Sequence, residues 1–76
     1  MNDIRKDIGN RIRELRHKRG LSQEQLAFAS GLDRTYITSV ENGRRNISII
    51  NIEKVAAALG VSVSEFFNSD DFRDHQ

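Results

Sequence analysis

Apolar residues in this chain return every three or four positions, and each segment that carries them is closed by a glycine. Ile4, Ile8, Ile12 and Leu15 form one stripe ahead of Gly20. Leu26, Ala27 and Ala29 precede Gly31, and Ile37 and Val40 precede Gly43. Ile49, Ile52, Val55, Ala56 and Leu59 precede Gly60. This period is that of an α-helix, with about 3.6 residues per turn, and not the two-residue alternation of a strand. No proline interrupts any segment. The expected fold is therefore all-α, a five-helix bundle around one core.

Local signals place the helix ends. The first helix is expected from about residue 3 to 19. Ser22, with Gln25 three residues on, reads as a capping box, and Leu21 is placed to staple against Leu26 or its neighbour. Asp33 is expected to cap a third helix that runs to about Glu41 and ends at Asn42-Gly43. Ser48 is expected to cap the fourth. A second box, Ser62-x-x-Glu65, opens a short fifth helix carrying Phe66 and Phe67. The domain is expected to span residues 1–68, with residues 69–76 an acidic, frayed tail.

At 76 residues the chain makes one small domain, a size at which core burial alone supports only marginal stability. It has no cysteine to cross-link it and no metal-ligand spacing, so neither a metal nor a cofactor is expected. Dimerisation is the expected source of further burial. No apolar run approaches the roughly 20 residues that cross a membrane, and no basic-then-apolar leader precedes the domain. A soluble, cytoplasmic protein without a membrane partner is the expectation. Charge is uneven along the chain. Residues 1–22 hold seven bases and three acids, a net of +4, whereas residues 48–76 hold two bases and five acids, a net of −3. A basic front that faces phosphates, with an acidic rear facing water or a partner, follows from this division.

The stretch from Gln23 to Gly43 carries the functional signal. Two short helices joined by a turn of about four residues containing Gly31 form the helix-turn-helix pattern, whose second helix enters the DNA major groove. Ala27 is small where the two helices cross. Ile37 and Val40, one turn apart, anchor the second helix to the core. Opposite them lie Thr35, Thr38, Ser39 and Asn42, flanked by Arg34 on one side and Tyr36 on the other. That face is rich in short hydrogen-bonding side chains, the groups that read base edges: arginine for guanine, threonine for thymine methyls or phosphate. Glu41 is expected in a structural salt bridge. Arg16 and Arg19 are expected either to steer towards phosphates or to complement a helix C-terminus. His17 and His75 lack ligand partners and are expected to be exposed. Phe66 and Phe67 are adjacent on a short helix and cannot both enter one small core. The region of Val63, Phe66 and Phe67 is therefore the expected dimer surface, unless Phe67 is simply half-exposed at a chain end.

Leu21-Ser22-Gln23-Glu24-Gln25-Leu26-Ala27, then Gly31, then Ile37-x-x-Val40-Glu41-Asn42-Gly43, resembles the Cro/phage-repressor-like (Xre) helix-turn-helix family. The resemblance covers about residues 8–67, including the closing Leu59-Gly60-Val61-Ser62-x-x-Glu65-Phe66-Phe67. It implies a lambda-repressor-like DNA-binding domain. Asp33-Arg34-Thr35-Tyr36-Ile37, with Glu41-x-Gly43-x-Arg45-Asn46, is more narrowly similar to the controller proteins of restriction-modification systems, small dimeric regulators acting on their own operators. The resemblance implies base contacts from Arg34 and Thr35, with Thr38 and Ser39 as second choices. It implies contacts to the DNA backbone from Ser22, Gln23, Asn42, Arg44, Arg45 and Asn46. It places Tyr36 as a backbone contact or a sensor of DNA distortion. The residue pattern agrees independently for Arg34, Thr35 and Thr38, and leaves Tyr36 open between a DNA contact and half-buried packing.

The expected function is a homodimeric, sequence-specific transcription regulator on a palindromic operator of double-stranded DNA. Tetramers on DNA and contact with RNA polymerase are open extensions. A restriction-modification controller is the leading context, with a phage-type repressor or antitoxin-like autoregulator as the alternative. A protein-docking module without DNA binding is the competing class, but its exposed helix face should be apolar or aromatic. An enzyme is not expected: no nucleophile–base pair, phosphate-cradling glycine loop or metal cluster is present.

Overall fold

The computed structural model describes residues 3–73, and His75 lies outside them. Five α-helices follow in order, with no strand among the described residues: α1 (Ile4–Lys18), α2 (Gln23–Ser30), α3 (Arg34–Glu41), α4 (Ile49–Ala58) and α5 (Val63–Phe67). The expected boundaries hold to within a residue or two. Both capping boxes form: Ser22 Oγ accepts from the Gln25 amide while the Gln25 side chain accepts from the Ser22 amide, and Ser62 and Glu65 do the same. Ser48 Oγ accepts from the Asn51 amide at the start of α4. Asp33 stands at the cap position of α3 with extended backbone, but its carboxylate accepts no helix amide.

The core is contributed by every helix. Ile8, Ile12 and Leu15 of α1 meet Leu26 and Ala27 of α2, Ile37 and Val40 of α3, the buried face of α4 up to Leu59, and Phe66 of α5. Two residues of the expected stripes stay out. Ile4 is 54% exposed and Ile49 is 64% exposed. Each is the first residue of its helix, where the apolar stripe has not yet reached the core. Ala29 also faces solvent, because α2 turns only Leu26, Ala27 and Ser30 inward.

Gly9 permits a close approach of two helix backbones. A Cβ there would lie 2.5 Å from the Glu41 carbonyl oxygen and 2.6 Å from that of Val40. The end of α3 thus rests on the backbone of α1, and only a residue without a side chain allows it.

Phe66 is wholly buried in the monomer, which removes it from the expected dimer surface. Phe67 is half-buried and stacks edge-on against Phe66 at 5.1 Å and against Phe72 at 4.9 Å. Phe72 belongs to a 3₁₀ turn, Asp70–Phe72, capped by Ser69 Oγ on the Asp71 amide. Residues 70–72, within the stretch expected as an acidic, frayed tail, thus form a turn packed beside α5. The aromatic ring gives this acidic stretch an apolar anchor beside α5.

Candidate nucleic-acid interface

The turn between α2 and α3 runs through Gly31, whose φ of 73° lies in the left-handed region that glycine enters without strain. The Leu32 amide reaches back to the Ala27 carbonyl at 3.0 Å and closes the end of α2. α3 then packs by Ile37 and Val40, both fully buried, as the periodicity predicts. Its register is secured at the C-terminal end by Glu41, whose side chain is completely enclosed. Arg16 Nε donates to Glu41 Oε2 at 2.7 Å and Arg16 Nη2 to Oε1 at 2.9 Å, a bidentate pair. Gln23 Nε2 donates to the same Oε1 at 3.1 Å, and Arg13 Nε lies 3.6 Å from it. Burial pushes the Glu41 carboxyl up, but the hydrogen bonds from Arg16 and Gln23 and the charges of Arg16 and Arg13 outweigh it and hold the group below its ordinary range. The expected structural salt bridge is thus a four-residue network joining α1, α2 and α3.

The network revises the reading of the basic front. Arg16 is buried against Glu41 and the Leu21 carbonyl, so it neither steers phosphates nor serves merely as a complement to a helix end. Arg11 is buried as well: its Nε donates to the Phe66 carbonyl and its Nη2 to the Glu65 carbonyl, both at 2.8 Å, which closes the end of α5. Two of the seven front bases are therefore buried in structural roles, and a third, Arg13, is engaged with Glu41 and Asn42. Arg19 and His17 are exposed.

Arg34 and Thr35, the first two residues of α3, are exposed, and neither side chain has a hydrogen bond or ion pair among the described residues. Ser39 is half-buried. Thr38, also half-buried, donates its hydroxyl to Gln23 Oε1 at 3.0 Å. The Gln23 side chain therefore ties α2 to α3, and its remaining freedom to meet DNA is its backbone amide and one amide hydrogen. Ser22 likewise spends its oxygen on the cap of α2. Asn42 is exposed and accepts from Arg13 Nη2 at 3.4 Å. Beyond α3, Arg44, Arg45 and Asn46 are all exposed; the side chains of Arg44 and Asn46 have no partner among the described residues. The Arg45 guanidinium lies over the Tyr36 ring, 4.9 Å from its centroid. Tyr36 is half-buried, and its hydroxyl oxygen accepts from Asn51 Nδ2 at 3.1 Å. Thr35, Tyr36, Arg45 and Asn51 line one open pocket of about 420 Å³.

No sequence signal marks Asn51 or Gly9, and Phe28, 91% exposed on α2, also goes unmarked. The first two matter only through contacts between distant segments.

Known proteins bear on this geometry. The control protein C.MunI from Mycoplasma sp is 51% identical over 69 residues, covering 90% of this chain and 93% of its own length. The restriction-modification controller protein C.AhdI from Aeromonas hydrophila, solved by crystallography, superposes with a TM-score of 0.83 at 52% identity, covering 87% of this chain and all of that one. The controller C.Esp1396I, crystallised as a tetramer with its natural 35 base-pair operator, superposes with a TM-score of 0.82 at 36% identity over 88% of each chain. The helix-turn-helix profile HTH_3 matches residues 12–66, which include all of α2, α3 and α4 and the core from Ile12 to Phe66. On this evidence the chain belongs to the Xre-type helix-turn-helix family.

Proposed function

We propose that the protein is a sequence-specific DNA-binding transcription regulator that acts as a homodimer, of the kind that controls restriction-modification genes. The observation that carries this reading is the outer face of α3. Arg34 and Thr35 project into solvent without internal partners, while Ile37, Val40 and Glu41 lock the opposite face to the bundle. Arg34 suits guanine O6 and N7, and Thr35 a thymine methyl or a phosphate. Ser39 and the Thr38 methyl add to the base-facing surface. Arg44, Arg45 and Asn46, with Tyr36, Asn42, the hydroxyl proton of Ser22 and the amide end of Gln23, meet the phosphates on either side. Similarity to C.MunI and C.AhdI over nearly the whole chain supports the controller context, and the C.Esp1396I–operator complex supports pairing of dimers on an extended site. The protein works in the bacterial cytoplasm, where operator and RNA polymerase are both accessible.

A dimer needs a surface other than Phe66. Ile49 and Ile50, each 64% exposed, stand at the start of α4, and Glu53 and Lys54 lie one turn further on with no partners among the described residues. Two copies of such a face, related by a two-fold axis, bury isoleucine on isoleucine and place opposite charges within reach of one another. α5, which carries Val63 and Phe67, packs against α4.

Selection of bound duplexes from a random-sequence pool tests the reading. The expected result is a palindromic consensus whose half-sites are centred about 10 base pairs, or 34 Å, apart. Failure to enrich any sequence, even at low salt, would refute it.

A further inference from the structure

The Tyr36 hydroxyl is held from α4 rather than from its own helix. Asn51 is the third residue of α4, and its backbone amide is already taken by Ser48 Oγ at 3.1 Å. Its side chain is free to reach across, and Nδ2 donates to Tyr36 Oη at 3.1 Å. A phenol has one proton to give and lone pairs to receive. With a lone pair occupied by Asn51, the hydroxyl proton remains as its outward function. The same ring carries Arg45. The guanidinium carbon stands 4.9 Å from the ring centroid, and Arg45 has no carboxylate partner among the described residues. Stacking uses the face of a guanidinium and leaves the N–H groups on its edge available for an anion. Arg45 sits on an irregular loop, where a long side chain otherwise loses much rotamer freedom on binding.

We propose that Asn51 is a positioning residue for DNA: it fixes Tyr36, Tyr36 holds Arg45, and a phenol hydroxyl and a guanidinium edge are presented together to one backbone phosphate. The inference rests on the DNA-binding reading above and deepens it. Thr35 lines the same pocket, so the phosphate clamp adjoins a base-reading residue and helps set its register on the duplex. Asp33 lines the pocket too, and a carboxylate there repels a phosphate, so the clamp is assigned to the Tyr36–Arg45 side.

The test is a double-mutant cycle on a duplex that the wild-type protein selects and on a random-sequence duplex. Asn51→Ala and Tyr36→Phe should each weaken binding to both duplexes by about 10-fold, the loss expected for a hydrogen bond to a charged group. The double variant should bind no more weakly than the worse single variant, because the two side chains act as a unit. Asn51→Asp should not rescue binding, since its carboxylate takes the phenol proton and attracts Arg45 inward. Tyr36 is the chain's one tyrosine and there is no tryptophan, so intrinsic emission reports this ring alone; Asn51→Ala should change it in the free protein. Wild-type affinity in Asn51→Ala, or losses that multiply in the double variant, would overturn the inference while leaving the DNA-binding reading intact. If Asn51→Ala proves unfolded by circular dichroism, Tyr36→Phe decides, because it keeps the ring and removes only the hydroxyl; unchanged binding would then overturn the inference. A wild-type protein that selects no duplex would overturn both.

Discussion

Glu41 shows how one residue sets the recognition helix. It stands next to Val40 at the end of α3, and its enclosed carboxylate is matched by the Arg16 fork. Removing one partner of a buried pair leaves the other charge without compensation, which typically costs about 3–5 kcal/mol. Glu41→Gln should lower the thermal midpoint accordingly. The pH dependence has a definite sign. The folded-state pKa is depressed, so the stabilisation is present above the ordinary value of 4.5 and is lost as pH falls through the lower folded value. Wild-type stability should therefore drop on acidification below about that pH more steeply than that of Glu41→Gln, as followed by circular dichroism melts. Gly9 makes a second residue-scale case. In an exposed helix, glycine to alanine is stabilising by about 1 kcal/mol. Here the added carbon would sit 2.5 Å from the Glu41 carbonyl oxygen. Gly9→Ala should instead destabilise by about 1–3 kcal/mol, as overpacking does, and a raised melting temperature would show that α1 and α3 separate freely.

At the scale of elements, much was readable before any coordinates. Capping boxes and glycine stops are local, so Ser22–Gln25, Ser62–Glu65 and Gly31 mark helix ends from sequence alone. Period and phase likewise place Ile37 and Val40 inside and Arg34 and Thr35 outside. What stayed hidden depends on contacts across long separations. Arg11 reads as a surface base, yet it closes α5, 54 and 55 residues away. Gln23 and Thr38 read as DNA contacts, yet they bond to each other between helices. Phe66 and Phe67 could not be ranked without the angle at which α5 meets the core. Ile4 and Ile49 fit their stripes in phase but not in position along the helix. Arg11→Ala should accordingly loosen α5 and the adjoining 3₁₀ turn. Hydrogen exchange of the amides near Phe66 to Phe72 should quicken markedly, whereas those of α2 and α3 should change little.

At the scale of the whole molecule, the longest extent of one copy, 36 Å, is close to the roughly 34 Å turn of B-DNA, the spacing at which the proposed two-fold pair would set its α3 helices in successive major grooves. If Ile50 lies at that axis, Ile50→Glu should shift sedimentation from dimer to monomer without lowering helicity, since the residue is exposed in the single chain. A dimer that persists would place the axis elsewhere. With about five to eight phosphates neutralised per dimer, log affinity should fall with log salt at a slope of roughly −4 to −7.

The most direct measurement is the ratio of affinities for the selected operator and for random-sequence duplex, at one salt concentration, in Arg34→Ala and Arg45→Ala. Loss of a base contact should cost about 1–3 kcal/mol of discrimination, so Arg34→Ala should collapse the ratio by about tenfold or more. Arg45→Ala should weaken both duplexes alike and leave the ratio near its wild-type value. An unchanged ratio in Arg34→Ala would mean that the outer face of α3 does not read the bases through Arg34, and an equal collapse in both variants would mean that base reading and backbone contact are not divided between Arg34 and Arg45.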